Sequence, residues 1–290
     1  MFLQQVINGI SVGGIYALIA SGYALIYSLL GFSNWAHGEV AMLGAYIALI
    51  SAKTVRFSFP VAALIGIGGA ALVSTINERF FYRPIRNNKS PTMFLMIAAM
   101  GLSTVFQNGA MLTFGAKFQM FPLVMPVSSI SLGNIRIGIL DVLSLVISAI
   151  ALIFMEFLIR HTKFGLGVRA VACNSYTSSI LGVNVDKVLA AVFVLAGALA
   201  GIAGILLGLK YNVYPTMGNV GLKAFIASVF GGLGSVRGAI VGALIIGITE
   251  TLVAGYLNSS LRDLITFSLL IATLLIRPSG LMGVIVEEKA

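Results

Sequence analysis

Long apolar runs with few charges alternate with short polar connections along the whole chain. Nine runs stand out, and an α-helix needs about 20 apolar residues to cross a bilayer. They cover residues 6–29, 38–52, 61–77, 92–114, 137–159, 188–208, 222–234, 238–257 and 263–277. The pattern predicts an all-α polytopic membrane protein with about eight or nine transmembrane segments, all within a single transmembrane domain over residues 1–290.

Two of these runs, 38–52 and 222–234, are shorter than the roughly 17 residues of a helix that crosses a membrane perpendicularly. Irregular backbone is tolerated at membrane depth only where it is buried in protein or lines a cavity. We therefore expect each short run to form a broken or partly re-entrant helix beside a solute pathway.

Composition supports a membrane location and argues against nucleic-acid binding. Hydrophobic residues make up 59% of the chain and charged residues only 9%, with a mean hydropathy of +1.04. The net charge of +9 comes from basic residues scattered in short connections. The positive-inside rule accounts for such a distribution, so no nucleic-acid partner is predicted.

Clusters of basic residues predict the orientation of the helices. The richest connections are expected to be cytoplasmic, which puts the amino terminus outside. Nine crossings then bring the carboxyl terminus inside, whereas a re-entrant 222–234 would leave it outside. The two clusters are Arg79, Arg83, Arg86 and Lys89, and Arg160, Lys163 and Arg169.

His37 and Glu39 are unusual because they open the second apolar run. One interpretation is that Glu39 complements the dipole of a helix that begins there. The other is that both residues line a polar pathway, since ionisable groups in membrane segments often mark function. The remaining acids in apolar runs have simpler explanations: Asp141, Glu250 and Asp263 lie near predicted outer ends, where water is close, and Glu156 has Arg160 one turn away.

The chain shows no catalytic or nucleotide-binding motif of its own. It has no Walker A sequence, no Gly-x-Ser-x-Gly elbow, and two histidines that lie far apart without ligands at metal spacing. Its only cysteine, Cys173, excludes an intrachain disulfide. We therefore expect a protein that is not an enzyme and that binds neither a cofactor nor a metal.

The segment 162–187 is the longest connection that the orientation places in the cytoplasm. Within it, residues 169–182 fit a short amphipathic helix that ends at Gly182. Such a helix could decorate the surface, lie on the membrane or dock a soluble partner. The pattern leaves these three possibilities open.

Several ordered stretches resemble the permease subunits of ABC importers for branched-chain amino acids, specifically the H-like permease of the Liv type. The resemblance covers essentially the whole chain. The matching stretches are NG at 8–9, GIYALIA at 14–20, NWAHGE at 34–39, GAY at 44–46, RA at 169–170, LGVNVD at 181–186, ALAGIAG at 198–204, KAF at 223–225, FGGLGS at 230–235 and RPSGL at 277–281.

The resemblance implies a subunit of the bacterial inner membrane that translocates branched-chain amino acids by alternating access. Its partners would be a second, M-like permease or another copy of itself, two cytosolic ATPases that bind ATP and Mg²⁺, and an extracytoplasmic substrate-binding protein. Segment 162–187 looks like the family's ATPase-coupling loop, with Arg169, Ala170, Asn174, Leu181 and Gly182 as coupling residues. Charge and position suggest as pathway residues Asn34, His37, Glu39, Gly231 and Gly232.

Other transport functions remain open on the residues alone. The same transporter class could carry urea, amides or other amino acids. A proton-coupled secondary transporter could use Glu39, His37 or Glu250 as a relay. A passive channel could place the two short runs as half-helices that meet at the midplane.

Overall fold

A computed structural model describes residues 2–122, 129–132 and 135–283. Helices dominate it, joined by short turns and one β-hairpin. The helices are α1 (Phe2–Leu30), α2 (His37–Lys53), α3 (Phe59–Ile76), α4 (Arg83–Asn87), α5 (Thr92–Phe114), α6 (Ile139–His161), α7 (Lys163–Cys173), α8 (Ser175–Ile180), α9 (Val185–Tyr211), α10 (Val220–Gly231), α11 (Val236–Tyr256) and α12 (Arg262–Ile276).

Seven helices are long and apolar enough to cross a membrane within the described ranges. Two shorter ones, α2 and the helical stretch Met217–Gly231, correspond to the two short apolar runs. The predicted all-α polytopic fold with eight or nine segments, two of them short, is therefore confirmed. A two-stranded hairpin between α5 and α6, formed by β1 (Ser129–Leu132) and β2 (Ile135–Gly138), was not predicted.

One helix extends well beyond its predicted end at residue 77. A π-helical turn over Asn77–Tyr82 joins α3 to α4, so that the span Phe59–Asn87 is helical throughout. Most of the predicted basic loop over 79–89 is therefore helix. The charges are compatible with helix because Arg86 pairs with both Glu78 and Asp186.

Helix α1 forms the centre of the bundle and α12 its periphery. In their most apolar windows, 94% of α1 is buried but only 6% of the segment that contains α12. Small residues allow the close packing that the sequence suggests: Gly9 and Gly13 lie directly against the backbone of α11. A side chain at either glycine would overlap α11.

Ion pairs identify which helix ends lie on the same side of the bundle. Glu156, near the end of α6, pairs with Arg237 at the start of α11 at 2.8 Å. At the other end of α6, Asp141 pairs with Lys210 of α9 at 2.5 Å. The end of α9 and the start of α11 therefore lie on opposite sides, so the chain crosses between them through α10 and does not return.

Candidate functional site

The two short helices begin next to each other, inside the bundle. Gly38 in the first turn of α2 contacts Gly221 in the first turn of α10, backbone against backbone. The neighbouring His37 lies against Gly22 of α1, eight residues before that helix ends. At 1.5 Å per residue this is about 12 Å from the end of α1, so both helices start at membrane depth.

A cavity of about 120 Å³ lies where the two helices meet. Side chains from α1, α2, α5, α10 and the connection before α2 form its wall. Its lining residues are Tyr23, Ser33, Trp35, Glu39, Ser103, Gly218, Asn219, Leu222 and Phe225. Tyr23 and Phe225, which are about two hundred residues apart in the sequence, therefore line the same site.

Glu39 is the charged group of this cavity and is only 3% exposed. One carboxylate oxygen, Oε1, accepts a long hydrogen bond of 3.5 Å from the Ser103 hydroxyl. The other, Oε2, has no hydrogen-bond partner among the described residues. The carboxylate lies against Gly218, at the start of the short helical turn Met217–Asn219 that leads into α10, and a side chain at that glycine would overlap it.

Glu39 also differs from every other described acid in having no basic partner. The remaining six acids in the described ranges each form an ion pair. Glu250 was expected to lie near water but is only 4% exposed, and Lys223 neutralises it at 2.9 Å. The pairs are Glu78–Arg86, Asp141–Lys210, Glu156–Arg160, Asp186–Arg83, Glu250–Lys223 and Asp263–Lys223.

The other predicted pathway residues lie outside the lining of this cavity. The Tyr82 hydroxyl donates to the buried Asn34 side chain at 2.7 Å. The His37 ring packs edge-on against Tyr23, with centroids 4.9 Å apart. Gly231 and Gly232 end α10, about 16 Å further along that helix, and pack against the backbone of the turns around them.

Most of the cavity wall was not identified from the sequence. Tyr23 and Ser103 lie in the middle of long apolar runs and carry no local signal that separates them from packing residues. Leu222 and Phe225 had one indirect signal, because they belong to the short run that was expected to flank a pathway.

The segment between α6 and α9 forms two short helices where the sequence predicted one. The Thr162 hydroxyl accepts from the Gly165 amide and caps α7, and the Asn174 side chain accepts from the Thr177 amide and caps α8. Asn174 thus breaks the predicted helix. Helix α9 already begins at Val185, so the last residues of the predicted 162–187 loop are helical.

Helix α8 presents an apolar surface outside the membrane-length helices. Tyr176, Ile180 and Leu181 are 74%, 67% and 78% exposed. The following Gly182 has a φ of +86°, a conformation that favours glycine, and turns the chain into α9. These three apolar side chains are here called the α8 patch.

The remaining predicted coupling residues hold α7 and α8 in place. The guanidinium of Arg169 donates to the backbone carbonyls of Ile159 and Arg160 at the end of α6. The Ala170 carbonyl accepts from the Asn174 amide at 3.1 Å. The structure therefore brings these residues together at one end of the bundle, away from the Glu39 cavity.

A chain of polar contacts links the start of α9 to the entry of α2. Asp186 pairs with Arg83 and Arg86 of α4, at 2.7 Å for Arg86. Directly before α4, the Tyr82 hydroxyl reaches Asn34. Asp186, in the first turn of α9, is thus linked through α4 to the segment before α2. That segment carries Trp35 and leads to Glu39.

Helices of membrane length around a buried central helix, with a cavity where two half-length helices meet, define a polytopic membrane permease. The chain belongs to the family of permease components of branched-chain amino acid transport systems, whose sequence profile matches residues 5–274.

Curated relatives align over nearly the whole chain. The high-affinity branched-chain amino acid transport system permease protein LivH of Salmonella typhimurium is 37% identical, with 97% of this chain and 96% of LivH covered. BraD of Pseudomonas aeruginosa, described in the same words, is 35% identical with the same coverage. A solved structure, PsaBC from Streptococcus pneumoniae in complex with Fab, superposes with a TM-score of 0.51. The match covers 96% of this chain and 93% of the matched chain in that structure. At 12% identity that likeness concerns the fold alone.

Proposed function

We propose that this chain is the membrane-spanning subunit of an ABC importer that carries branched-chain amino acids across a bacterial inner membrane. The observation that carries the proposal is the match to permeases of this description over 97% of the chain. The cavity at membrane depth combines four aromatic or apolar side chains with polar groups around one carboxylate, which suits a small zwitterion with an apolar side chain.

In this proposal ATP and Mg²⁺ are bound by two cytosolic partner ATPases. The α8 patch is the surface that they contact, because three large apolar side chains stand exposed on a short helix outside the membrane. A second permease subunit, either a paralogue or another copy, completes the pore, and an external binding protein delivers the substrate.

Transport then consists of a conformational change in which this chain supplies no bond chemistry. Closure of the ATPases moves α7 and α8, and the ion pairs of Asp186 carry that movement to α4. The cavity opens to one side and then to the other, and the substrate passes because its affinity differs between the two states.

The sole cysteine provides a direct test of the ATPase contact. Cys173 is exposed and directly precedes the residue that caps α8. A maleimide should label it quickly in the chain alone and slowly once the partner ATPases are bound. A matched control carries Cys173→Ser with Lys117→Cys, an exposed position after α5 on the opposite side, where labelling should not change.

Reconstituted proteoliposomes test the transport reaction itself. The complex of this permease with its ATPases and binding protein should take up radiolabelled leucine only with ATP. Uptake driven by a proton gradient without ATP, or equal labelling of Cys173 with and without the ATPases, would contradict the proposal.

A further inference from the structure

We propose that the Glu39 cavity is a binding site for the ammonium group of the transported substrate, with Glu39 as its counter-ion and Tyr23, Trp35 and Phe225 as the wall around it. This inference rests on the proposed transport function and names the chemistry of one site within it. It predicts that the permease itself distinguishes amines from acids, in addition to any selection by an external binding protein.

The first argument is that Glu39 is built as an unpaired anion. Lys and Arg residues neutralise the other six described acids, even at Glu250, which is as deeply buried as Glu39. A buried carboxylate that accepts only one long hydrogen bond leaves acceptor capacity unused, and such groups are rare in folded proteins. A cation that enters the cavity would supply the missing partner.

The second argument is that two helix starts face the Glu39 carboxylate, that of its own helix α2 and that of a stretch leading into α10. The carboxylate lies at the beginning of the helical stretch Met217–Gly231, where the backbone carries partial positive charge. Gly218 permits this approach because it has no side chain. Each helix start contributes only partial positive charge, and no described group donates a hydrogen bond to Oε2, so that oxygen remains available to a cation.

The third argument is the aromatic wall. The ring centroids of Tyr23 and Phe225 are 5.6 Å apart, as are those of Trp35 and Phe225, so the three rings form one continuous surface. Aromatic faces attract ammonium groups and also accept apolar side chains. A ligand with both features, such as a branched-chain amino acid, uses the carboxylate and the wall at the same time.

The cavity also provides polar groups for the rest of an amino acid. Ser33 brings a hydroxyl and Asn219 an amide to the lining, and both groups can donate hydrogen bonds to a carboxylate. A deaminated analogue would present only its carboxylate beside Glu39, and the two like charges would repel each other. The site should therefore reject branched-chain carboxylic acids.

Trp35 makes the test unusually direct, because it is the only tryptophan in the chain and lines the cavity. The full chain is purified into lipid nanodiscs and its tryptophan emission is titrated with three probes. Leucine carries both charged groups, isopentylamine keeps the ammonium without the carboxylate, and isocaproate keeps the carboxylate without the ammonium. We expect saturable changes with leucine and isopentylamine and none with isocaproate.

Variants separate the charge of Glu39 from its shape. Glu39→Gln should weaken the isopentylamine response by roughly tenfold or more, the factor that corresponds to losing one modest ionic contact. Glu39→Asp keeps the charge and should retain more of the response than the glutamine variant. Glu156→Gln is the matched control, since that acid lies at the far end of α6 with its own basic partners, and its response should equal that of the wild type.

Three results would overturn the inference: no response to either amine in the wild type, equal responses to isopentylamine and isocaproate, or an unchanged amine response in Glu39→Gln. The proteoliposome assay keeps this outcome separate from the proposed function. If leucine uptake needs ATP but Trp35 does not distinguish amines from acids, only the ammonium site is wrong. If Trp35 reports amine binding but the complex does not import leucine, only the transport assignment is wrong.

Discussion

Lys223 joins three helices through two carboxylates. Its ammonium lies 2.9 Å from Glu250 of α11 and 2.9 Å from Asp263 of α12, while Lys223 itself belongs to α10. Glu250 also accepts hydrogen bonds from Tyr16 of α1 at 3.0 Å and from Thr266 at 3.3 Å. One cation therefore joins the helix that closes one side of the Glu39 cavity to two neighbouring helices.

Replacing that cation should destabilise the fold strongly. Lys223→Met leaves Glu250 buried without its positive partner, and breaking a buried pair in this way costs about 3–5 kcal/mol. We expect a clearly lower midpoint in thermal unfolding of the detergent-solubilised chain. Lys187→Met, at an exposed position at the start of α9, is the control and should leave the midpoint unchanged. Equal midpoints for both variants would show that Lys223 is not needed for stability.

The sequence identified Glu39 but not the groups that surround it. Its charge at the start of an apolar run is visible in the linear pattern, because charges are rare there. That Glu250 has a lysine partner and Glu39 has none could not be predicted, since Lys223 lies 27 positions before Glu250 and meets it only after α10 and α11 pack. The ionic partners of acids on separate helices depend on tertiary packing, which hydropathy does not describe.

At the scale of elements, α2 and α10 depend on one close crossing. Gly38 and Gly221 meet without side chains between them, and this contact keeps both helix starts at the cavity. Glycine is used at such crossings because any side chain would force the backbones apart.

A larger side chain at this crossing should disturb the cavity. Gly221→Leu would force the two helix starts apart, and overpacking of this kind costs about 1–3 kcal/mol. We expect altered Trp35 emission and reduced leucine uptake by the reconstituted complex. Gly101→Leu is the matched control, because that glycine lies in α5 with open space around it. Wild-type emission and uptake in Gly221→Leu would contradict the importance of the crossing.

Gly182 affects a different element, the link between α8 and α9. Its positive φ is strained for any residue with a Cβ atom, although no neighbouring atom would be hit. Gly182→Val should therefore leave membrane insertion intact but redirect α8 relative to α9. In the proposed importer, ATP hydrolysis should continue while leucine uptake falls. Unchanged uptake per ATP hydrolysed would contradict a coupling role for this turn.

The helices were predicted better than the interruptions within them. The lengths of the apolar runs predicted all nine segments in order, including the two short ones. This worked because the thickness of the bilayer sets how many apolar residues a spanning helix needs. The π-helical turn and the extension to Asn87 were missed because the basic residues after position 77 predicted a loop, and the acid that pairs with Arg83 and Arg86 lies about a hundred residues away. The break at Asn174 could have been found, since asparagine is a strong N-cap residue.

At the scale of the whole molecule, ion pairs hold the two ends of the bundle. On one side, Lys210 and Lys223 neutralise acids of neighbouring helices. On the other side, Asp186 pairs with α4, and Glu156 pairs with Arg237. The bundle interior between these levels has few charges, so changes in helix position at one end can reach the other mainly through the packed helices themselves.

Asp186 provides a test of that transmission. Asp186→Asn weakens the attraction between the start of α9 and α4 at a partly exposed position, so the fold should persist. We expect the reconstituted complex to hydrolyse more ATP for each leucine imported. Lys187→Met changes the neighbouring charge without touching these pairs, and its ratio of ATP to leucine should match the wild type. Equal ratios in all three proteins would exclude Asp186 from coupling.

The π-helical turn over Asn77–Tyr82 has a consequence for how this chain tolerates insertions and deletions. Such a turn accommodates one more residue than an α-helix does, and one residue corresponds to a rotation of about 100° around the helix axis. Deleting one residue within this turn would convert it to an α-helical turn and leave its flanks in register, whereas one further residue would swing Tyr82 away from Asn34 and the α4 arginines away from Asp186. The connection between α3 and α4 should therefore tolerate the loss of one residue better than the gain of one, because a gain would disconnect α9 from the entry of α2.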